Sequence, residues 1–224
     1  MKNYNAAFFD LDGTLADNYA AIHSTLCEAF AEYGAREPSY DGVFNIVGGS
    51  IQITIKKLLE KYGEDLGLLH KIGDSYFRIY PERAFYGLKA MPYAKEILHA
   101  LKSQGMRLAC FTNKQTEGAE AVLRKLGLRE YFDGVAATSF DSPRKPDAEF
   151  TINALNMLCV SAEESVGIGD SPYDYKAALA GKMDSALVAT GSDSQELLLD
   201  NCPNAVGVYA NLAELAVGVF DVEI

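Results

Sequence analysis

The stretch FFDLDGTLADNY, residues 8–19, places Asp10 and Asp12 two positions apart, where a short apolar run ends and a turn begins. Asp and Gly are common at strand ends, because Asp bonds to the local backbone and Gly tolerates a positive φ. The pattern D-x-D-G-T is more specific, since we expect it by chance in about one chain in a thousand of this length. The stretch therefore suggests a functional strand end, which the rest of the chain must support.

The composition is that of an ordinary globular chain, and it limits the kinds of partner. The 224 residues are 49% hydrophobic and 23% charged, which is enough for one sizeable core with a small accessory domain. A formal net charge of −11 without a basic block argues against nucleic acid and anionic membranes as partners. No basic-then-apolar leader and no window long enough for a membrane span is present, so we expect a cytoplasmic location.

The cysteines carry no signal of a metal site. They lie far apart, without a C-x-x-C pair or a nearby histidine pattern: Cys27, Cys110, Cys159 and Cys202. Their spacing favours buried thiols over a zinc site or a disulfide framework.

Short apolar runs alternate with helical segments through most of the chain. We read the runs as strands buried on both faces, at residues 6–10, 107–112, 134–138, 165–170 and 185–190. The helical segments are residues 93–103, 116–126, 148–158 and 173–180. This alternation predicts an α/β fold with a Rossmann-like parallel sheet sandwiched between helices.

Residues 15–83 interrupt the alternation. They carry apolar residues at helical spacing and offer no convincing strand, so we expect a helical insertion after the first strand. Its hinges are expected near residues 15–18 and 83–90. The predicted domains are therefore an α/β core of residues 1–14 and 88–224 and an inserted helical domain of residues 15–87.

Polar side chains follow four of the predicted strands, at the edge where a parallel sheet binds ligands. They comprise carboxylates, a hydroxyl, an amide and one cation: Asp10, Asp12, Thr112, Asn113, Lys145, Asp170 and Asp174. Taken singly, each has an ordinary interpretation, such as helix capping for Thr112 or a solvated surface position for Lys145. Their occurrence together at one sheet edge favours a functional site.

Four motifs in chain order resemble those of the haloacid dehalogenase superfamily, the aspartate-nucleophile phosphohydrolases with a helical cap after the first strand. DLDGTL resembles the first motif, CFTNK the second, RKPD the lysine of the third, and GIGDSPYD the fourth. The resemblance covers nearly the whole chain. It points to the phosphoglycolate-phosphatase-like group, whose cap opens with a long helix like residues 18–33. The inserted helices are then expected to form the cap.

The resemblance implies that Asp10 attacks a phosphate monoester and becomes an aspartyl-phosphate. A carboxylate suits this role, because it is ionised at neutral pH without a partner base and the resulting mixed anhydride can be cleaved by water. Asp12 is then free to protonate the departing alkoxide and to deprotonate the water. The superfamily's dehalogenases and phosphonate-cleaving members lack this second aspartate, so phosphatase and phosphomutase chemistry remain.

Mg²⁺ is the cofactor that the resemblance implies. Its expected ligands are the carboxylates of Asp10 and Asp170 and the backbone carbonyl of Asp12. Asp174 is expected to orient a water bound to the ion without binding the ion itself. All of these groups offer the oxygen ligands that Mg²⁺ prefers.

The phosphoryl group is expected to bind Thr112, the backbone amide of Asn113, and Lys145. A small phosphorylated metabolite is thus the expected partner, with no nucleic acid and no membrane. The sequence carries no signal for the oligomeric state.

The cap is expected to select the substrate by closing over the site. Within residues 46–54, Gly48, Gly49 and Ser50 are the candidate specificity residues, because glycine allows close approach to a ligand. An ordinary helix-connecting turn is the alternative interpretation. Sugar-phosphate mutases often carry an arginine after such a glycine, whereas Ser50, Ile51 and Gln52 follow here. This difference favours hydrolysis.

The function expected from the resemblance is a magnesium-dependent phosphatase of a small phosphomonoester, with 2-phosphoglycolate as the leading candidate. A hexose-phosphate phosphomutase of the same superfamily is the alternative within this class. A non-catalytic binding protein on the same fold is the alternative from another class. The intact set of Asp10, Asp12, Lys145 and Asp170 argues against it.

Overall fold

A computed structural model describes residues 2–139 and 142–224 of the chain. The strands in these residues are β1 Ala6–Phe9, β2 Ala16–Asp17, β3 Lys89–Ala90, β4 Arg107–Gln115, β5 Gly134–Thr138, β6 Ser165–Gly169, β7 Asp184–Val188 and β8 Gly207–Tyr209. The α-helices are α1 Tyr19–Ala31, α2 Tyr40–Phe44, α3 Ile51–Tyr62, α4 Leu69–Arg83, α5 Ala94–Ser103, α6 Thr116–Lys125, α7 Ala148–Leu158, α8 Pro172–Ala180, α9 Gln195–Asn201 and α10 Leu212–Phe220. None of these helices is both long and apolar enough to cross a membrane.

Six parallel strands form the central sheet, in the order β5-β4-β1-β6-β7-β8. β1 lies inside this sheet, where Phe9 pairs with Cys110 of β4 and Ile168 of β6. The chain leaves β1 toward β4 and later returns to β1's other side through β6. The carboxyl end of β1 is therefore the crevice in which sheets of this class bind ligands. The predicted α/β fold with a parallel sheet is confirmed.

Each face of the sheet carries its own apolar cluster. Successive side chains of a strand point to opposite faces, so Ala7 and Phe9 pack with α5, α6 and α10, whereas Ala6 and Phe8 pack with α7 and α8. All four β1 side chains are fully buried. An unbroken apolar run is what a strand with both faces covered requires.

The insertion after β1 is helical and has its own apolar cluster, formed by α1, α2, α3 and α4. The sequence predicted no strand here, but β2 and β3 pair in an antiparallel ladder at the two expected hinges. Two-residue strands are too short to show an alternating pattern. We retain as a proposal the division into a core of residues 1–14 and 88–224 and a cap of residues 15–87.

The structure differs from the predicted elements at β4 and at the C-terminal end. β4 runs three residues beyond the predicted 107–112, because a register shift between Phe111 and Gln115 lets it continue past a bulge against β5. The sequence predicted no element after residue 190, where α9, β8 and α10 follow. β8 is a half-buried strand of three residues at the sheet edge, so its apolar run is too short to be recognised.

The expectation of buried thiols is correct for Cys110 and Cys202 but not for the other two cysteines. Cys27 is partly exposed and Cys159 is exposed. Cys159 lies just after α7 in the left-handed conformation, so the end of the helix sets its position.

Candidate active site

The turn after β1 places the two predicted aspartates. The carbonyl of Leu11 accepts hydrogen bonds from the backbone N–H groups of Leu15 and Ala16, which closes the loop. Gly13 has a positive φ of 95°, and a Cβ there would lie 2.5 Å from Oδ2 of Asp170. Only glycine fits this position, so the geometry of the turn requires the glycine of the D-x-D-G motif.

Lys145 lies fully buried beneath Asp10. Its Nζ donates hydrogen bonds to Oδ1 of Asp10 at 2.6 Å, to Oδ1 of Asp174 at 2.6 Å, and to the carbonyl oxygen of Phe111 at 2.8 Å. Burial alone would lower the pKa of Lys145, but the two carboxylates outweigh it and raise that pKa. The ammonium group stays charged, and all three of its donors are used.

The backbone of Lys145 is held by Asn113. The N–H of Lys145 donates to Oδ1 of Asn113 at 2.8 Å, and Nδ2 of Asn113 donates to the carbonyl oxygen of Lys145 at 3.2 Å. Thr112 is buried beside it, and its Oγ1 accepts a hydrogen bond from the N–H of Lys114 at 3.2 Å. These hydrogen bonds join the carboxyl end of β4, at Asn113, to the loop that follows β5, at Lys145.

Three buried carboxylates form a cluster at this edge. Oxygens of Asp10, Asp170 and Asp174 lie within 4.8 Å of one another. Oδ1 of Asp170 accepts from Thr14 at 2.8 Å, whereas Oδ2 of Asp174 accepts from the N–H and the hydroxyl of Ser171 at 3.0 and 2.6 Å. Three carboxylates therefore face a single ammonium group, that of Lys145.

The electrostatics of this cluster fit a divalent cation. Burial raises the pKa of Asp10 to about 7, although Lys145 lowers it. Burial and the charges of Asp174 and Asp10 raise the pKa of Asp170 well above its usual range. A divalent cation would offset the excess negative charge and favour the ionised forms. An all-oxygen donor set of this kind suits a hard divalent cation.

The side chain of Asp12 pairs with Lys114 instead of joining the three clustered carboxylates. Nζ of Lys114 donates to its two oxygens at 3.0 and 3.3 Å. The Lys114 side chain is only 8% exposed, and its ammonium group lies 4.5 Å from the centroid of the Tyr80 ring of α4. The hydroxyl of Tyr80 accepts a hydrogen bond from Asn18 at 3.0 Å. Asp12 is thus held by a cation that also contacts the cap.

Lys114 is the site residue that sequence reasoning missed. It stands inside the quoted motif CFTNK, two residues after Thr112, so a signal was present. A lysine that follows a predicted strand is normally solvated. β4 continues past its bulge and buries Lys114. Because the strand was predicted to end at residue 112, this burial was not expected.

A cavity of about 220 Å³ lies between the cap and this edge of the sheet. The core contributes polar groups to its lining: Asp10, Asp12, Thr112, Asn113, Lys114, Gln115, Glu117, Thr138, Ser139 and Arg144. The cap contributes mainly apolar groups: Ile22, Val47, Gly48, Gly49, Ile51, Gln52, Thr54, Tyr76, Phe77, Tyr80, Pro81, Ala84 and Phe85. Asp10 and Asp12 both border this space.

The predicted site residues thus fall into three groups. Asp10, Lys145, Asp170 and Asp174 meet in the buried cluster, and Asp12, Thr112 and Asn113 line the cavity. Among the cap candidates, Gly48 and Gly49 also line the cavity. Ser50 instead caps the amino end of α3, where its hydroxyl accepts from the N–H of Ile53 at 3.4 Å.

Comparison with known proteins places the chain in a family. It matches the family "Haloacid dehalogenase-like hydrolase" over residues 7–188. It is 31% identical over 178 residues to a phosphoglycolate phosphatase of Nitrosospira multiformis, a match that covers 78% of each chain.

Solved structures show the same fold. A putative phosphoglycolate phosphatase from Lactobacillus delbrueckii subsp. bulgaricus superposes with a TM-score of 0.87 at 23% identity, covering 98% of this chain and 99% of that one. CbbY from Rhodobacter sphaeroides, in complex with phosphate, superposes with a TM-score of 0.78 at 23% identity, covering 98% and 100%. The chain therefore belongs to the haloacid dehalogenase-like hydrolase family, as a phosphatase similar to phosphoglycolate phosphatases.

Proposed function

We propose that this chain is a magnesium-dependent phosphatase that hydrolyses a small phosphomonoester of the 2-phosphoglycolate kind through an aspartyl-phosphate on Asp10. The observation that carries the proposal is the buried cluster of Asp10, Asp170 and Asp174 at the end of β1, in which Asp10 and Asp174 pair with Lys145. A phosphate dianion repels nucleophiles, so its hydrolysis needs an ionised nucleophile and compensating positive charge at one point. The cluster offers the nucleophile and the ammonium group of Lys145, and a divalent cation held by its carboxylates would supply the remaining positive charge.

In the first step, the carboxylate of Asp10 attacks phosphorus and the bond to the leaving oxygen breaks. Lys145 fixes this carboxylate through Oδ1 and offsets charge nearby, while Thr112 and the N–H of Asn113 bind phosphoryl oxygens. Mg²⁺, held by Asp10, Asp170 and the backbone carbonyl of Asp12, would neutralise charge on the phosphoryl oxygens.

Asp174 is proposed to act from outside the ligand shell of the ion. Its Oδ1 accepts from Lys145 and its Oδ2 accepts from Ser171, so both oxygens already have protein partners. A carboxylate held in this way can orient a water of the ion without leaving its own hydrogen bonds.

Asp12 is proposed to supply the proton that the leaving alkoxide needs and then to take a proton from the hydrolytic water. Its carboxylate faces the cavity and is anchored by Lys114. A positioned acid of this kind contributes typically 100- to 10,000-fold in rate. Lys114 is thus proposed as the residue that positions it.

The cavity supports a small substrate. Its volume of about 220 Å³ lies below the roughly 300–1,000 Å³ of pockets that hold drug-sized ligands. Gly48 and Gly49 of the cap border this space, and we retain them as candidate specificity residues. A cytoplasmic location is retained as part of the proposal.

A panel of phosphate esters tests the proposed function. Free phosphate is measured with 2-phosphoglycolate, glycerol phosphate, hexose 1-phosphate and p-nitrophenyl phosphate, with Mg²⁺ and after chelation. We expect release of phosphate with Mg²⁺ and at least about a 100-fold lower rate after chelation. No turnover across the panel would contradict phosphatase activity. Equal rates with Mg²⁺ and after chelation would contradict the proposed dependence on the metal. Isomerised hexose phosphate without free phosphate would identify a phosphomutase.

Lys114→Met is expected to lower kcat for alkyl phosphates by about 100-fold, because it frees the carboxylate of Asp12 from its anchor. Steady-state kinetics on 2-phosphoglycolate and p-nitrophenyl phosphate measure the effect, which should be smaller for the second ester. Lys114→Arg, which keeps the charge, should restore part of the rate. The control Lys102→Met breaks an ion pair with Asp133 far from the cavity and should leave kcat unchanged. A Lys114→Met enzyme as fast as the wild type would exclude the positioning role.

A further inference from the structure

A buried hydroxyl beside the carboxylate cluster has no partner. Tyr19 is the first residue of α1 and is 3% exposed, and its Oη forms no hydrogen bond with any residue that the structure describes. Leaving a buried hydroxyl unpaired costs about 1–3 kcal/mol. Native structures therefore retain such a group mainly where water or an ion completes its hydrogen bonds.

The position of this hydroxyl is set by packing within the cap. The Tyr19 ring packs edge-on against Phe44 of α2, with ring centroids 4.7 Å apart. A tyrosine ring fixed in this way has little freedom to turn its hydroxyl elsewhere. The packing of the ring therefore fixes the direction in which Oη points.

The hydroxyl faces the carboxylate of Asp170 across Gly13. The point where a Cβ of Gly13 would lie is 2.6 Å from Oη of Tyr19 and 2.5 Å from Oδ2 of Asp170. A Cβ at Gly191 would also overlap Oδ2 of Asp170. Two glycines thus leave open the space around this carboxylate oxygen, and the hydroxyl borders it.

The hydroxyl is neutral in this setting. Burial and the charges of Asp170, Asp12 and Asp10 raise the pKa of Tyr19, so its proton stays on. A neutral phenol is a poor ligand for a hard cation, which prefers carboxylates and water. Its oxygen can, however, accept a hydrogen bond from a water molecule, and a divalent ion polarises the protons of the waters that it holds.

We propose that Tyr19 is a positioning residue for the metal, whose hydroxyl accepts a hydrogen bond from a water of the magnesium shell beside Asp170. The inference rests on the proposed function, because the ion is the one expected at Asp10 and Asp170. Tyr19 begins the first helix of the insertion, so this contact also ties the cap to the metal site. Outer-shell partners of this kind typically contribute 10- to 100-fold in metal affinity.

Calorimetric titration of Mg²⁺ into the metal-free full-length chain tests the proposal. We expect Tyr19→Phe to weaken the Kd for Mg²⁺ by about tenfold. The fold should persist, because the substitution removes a hydroxyl that has no protein partner. Thermal unfolding gives a second readout. Without metal, Tyr19→Phe should unfold at no lower temperature than the wild type, but Mg²⁺ should raise that temperature by less.

Two further variants serve as the negative and the positive control. Tyr4→Phe removes a hydroxyl that donates to Asp184 at 2.7 Å, near the amino end of β1. It should lower stability and leave the Kd for Mg²⁺ unchanged. Asp170→Ala removes an expected ligand and should weaken Mg²⁺ binding far more than Tyr19→Phe does.

The outcomes separate this inference from the proposed function. If Tyr19→Phe binds Mg²⁺ as tightly as the wild type, the inference is wrong and the proposed cofactor stands. If Tyr4→Phe weakens binding as much as Tyr19→Phe, general loosening explains the effect and the inference is also overturned. If the wild type itself binds no Mg²⁺, the proposed cofactor fails, and the inference fails with it.

Discussion

Asp10→Asn is expected to abolish turnover, with a loss of at least about 10,000-fold in kcat, while the fold persists. The amide matches the carboxylate in shape but is not an anionic nucleophile and cannot form the acyl phosphate. Single-turnover and steady-state release of phosphate measure the loss. Retention of even a tenth of the wild-type rate would remove Asp10 from the nucleophile role.

The stability of the same variant provides its control for folding. Burial raises the pKa of Asp10 to about 7, so the folded metal-free protein binds a proton there that the unfolded chain releases near pH 4. The free energy of unfolding of the wild type should therefore fall as the pH rises between these values. Asparagine does not ionise, so Asp10→Asn without metal at pH 8 should unfold at no lower temperature than the wild type.

A matched substitution separates nucleophile loss from general damage. Asp133→Asn changes a carboxylate that accepts from Lys102 and from the N–H of Leu108, at the opposite end of the sheet. It should leave kcat within a factor of about two of the wild type, because surface substitutions have small effects. Equal losses in Asp133→Asn and Asp10→Asn would show that the assay reports stability and not chemistry.

Asp12→Ala is expected to slow the phosphorylation step most for substrates whose leaving group needs a proton. An alkyl phosphate such as 2-phosphoglycolate has a strongly basic leaving oxygen and should lose about 100- to 10,000-fold in the phosphorylation step. A p-nitrophenyl ester leaves readily without a proton, so its phosphorylation step should lose much less. A burst of nitrophenol should then precede slow hydrolysis of the aspartyl-phosphate, which still lacks its base.

Rapid-mixing kinetics on both esters decide this role. Asp12→Asn is the matched variant, because it keeps the shape and a hydrogen-bond acceptor for Lys114 but cannot exchange the proton. It should show the same dependence on the leaving group as Asp12→Ala. Equal damage to the first step with both esters would exclude the acid role and leave Asp12 as a structural residue.

Local sequence patterns were sufficient for most of the core. The segments 134–138 and 148–158 were predicted with the bounds of β5 and α7, because their limits depend on local patterns of apolar and turn residues. The order of the four motifs was sufficient for the family, which the family match confirms. The alternation of strands and helices predicts the parallel sheet. The sheet in turn brings the motif residues to one edge.

The tertiary structure decided the contacts that join distant parts of the chain. Lys114 becomes a partner of Asp12 only because a bulge carries β4 onward and buries it, and bulges depend on the pairing with a neighbouring strand. Tyr19 faces Asp170 only because the cap packs its ring above Gly13. Such contacts span up to about 150 residues of sequence and depend on packing between elements, which no local period encodes. The sequence by itself therefore determined the fold class and the family and indicated the acidic residues and Lys145, whereas packing decided that Lys114 and Tyr19 lie beside those acids.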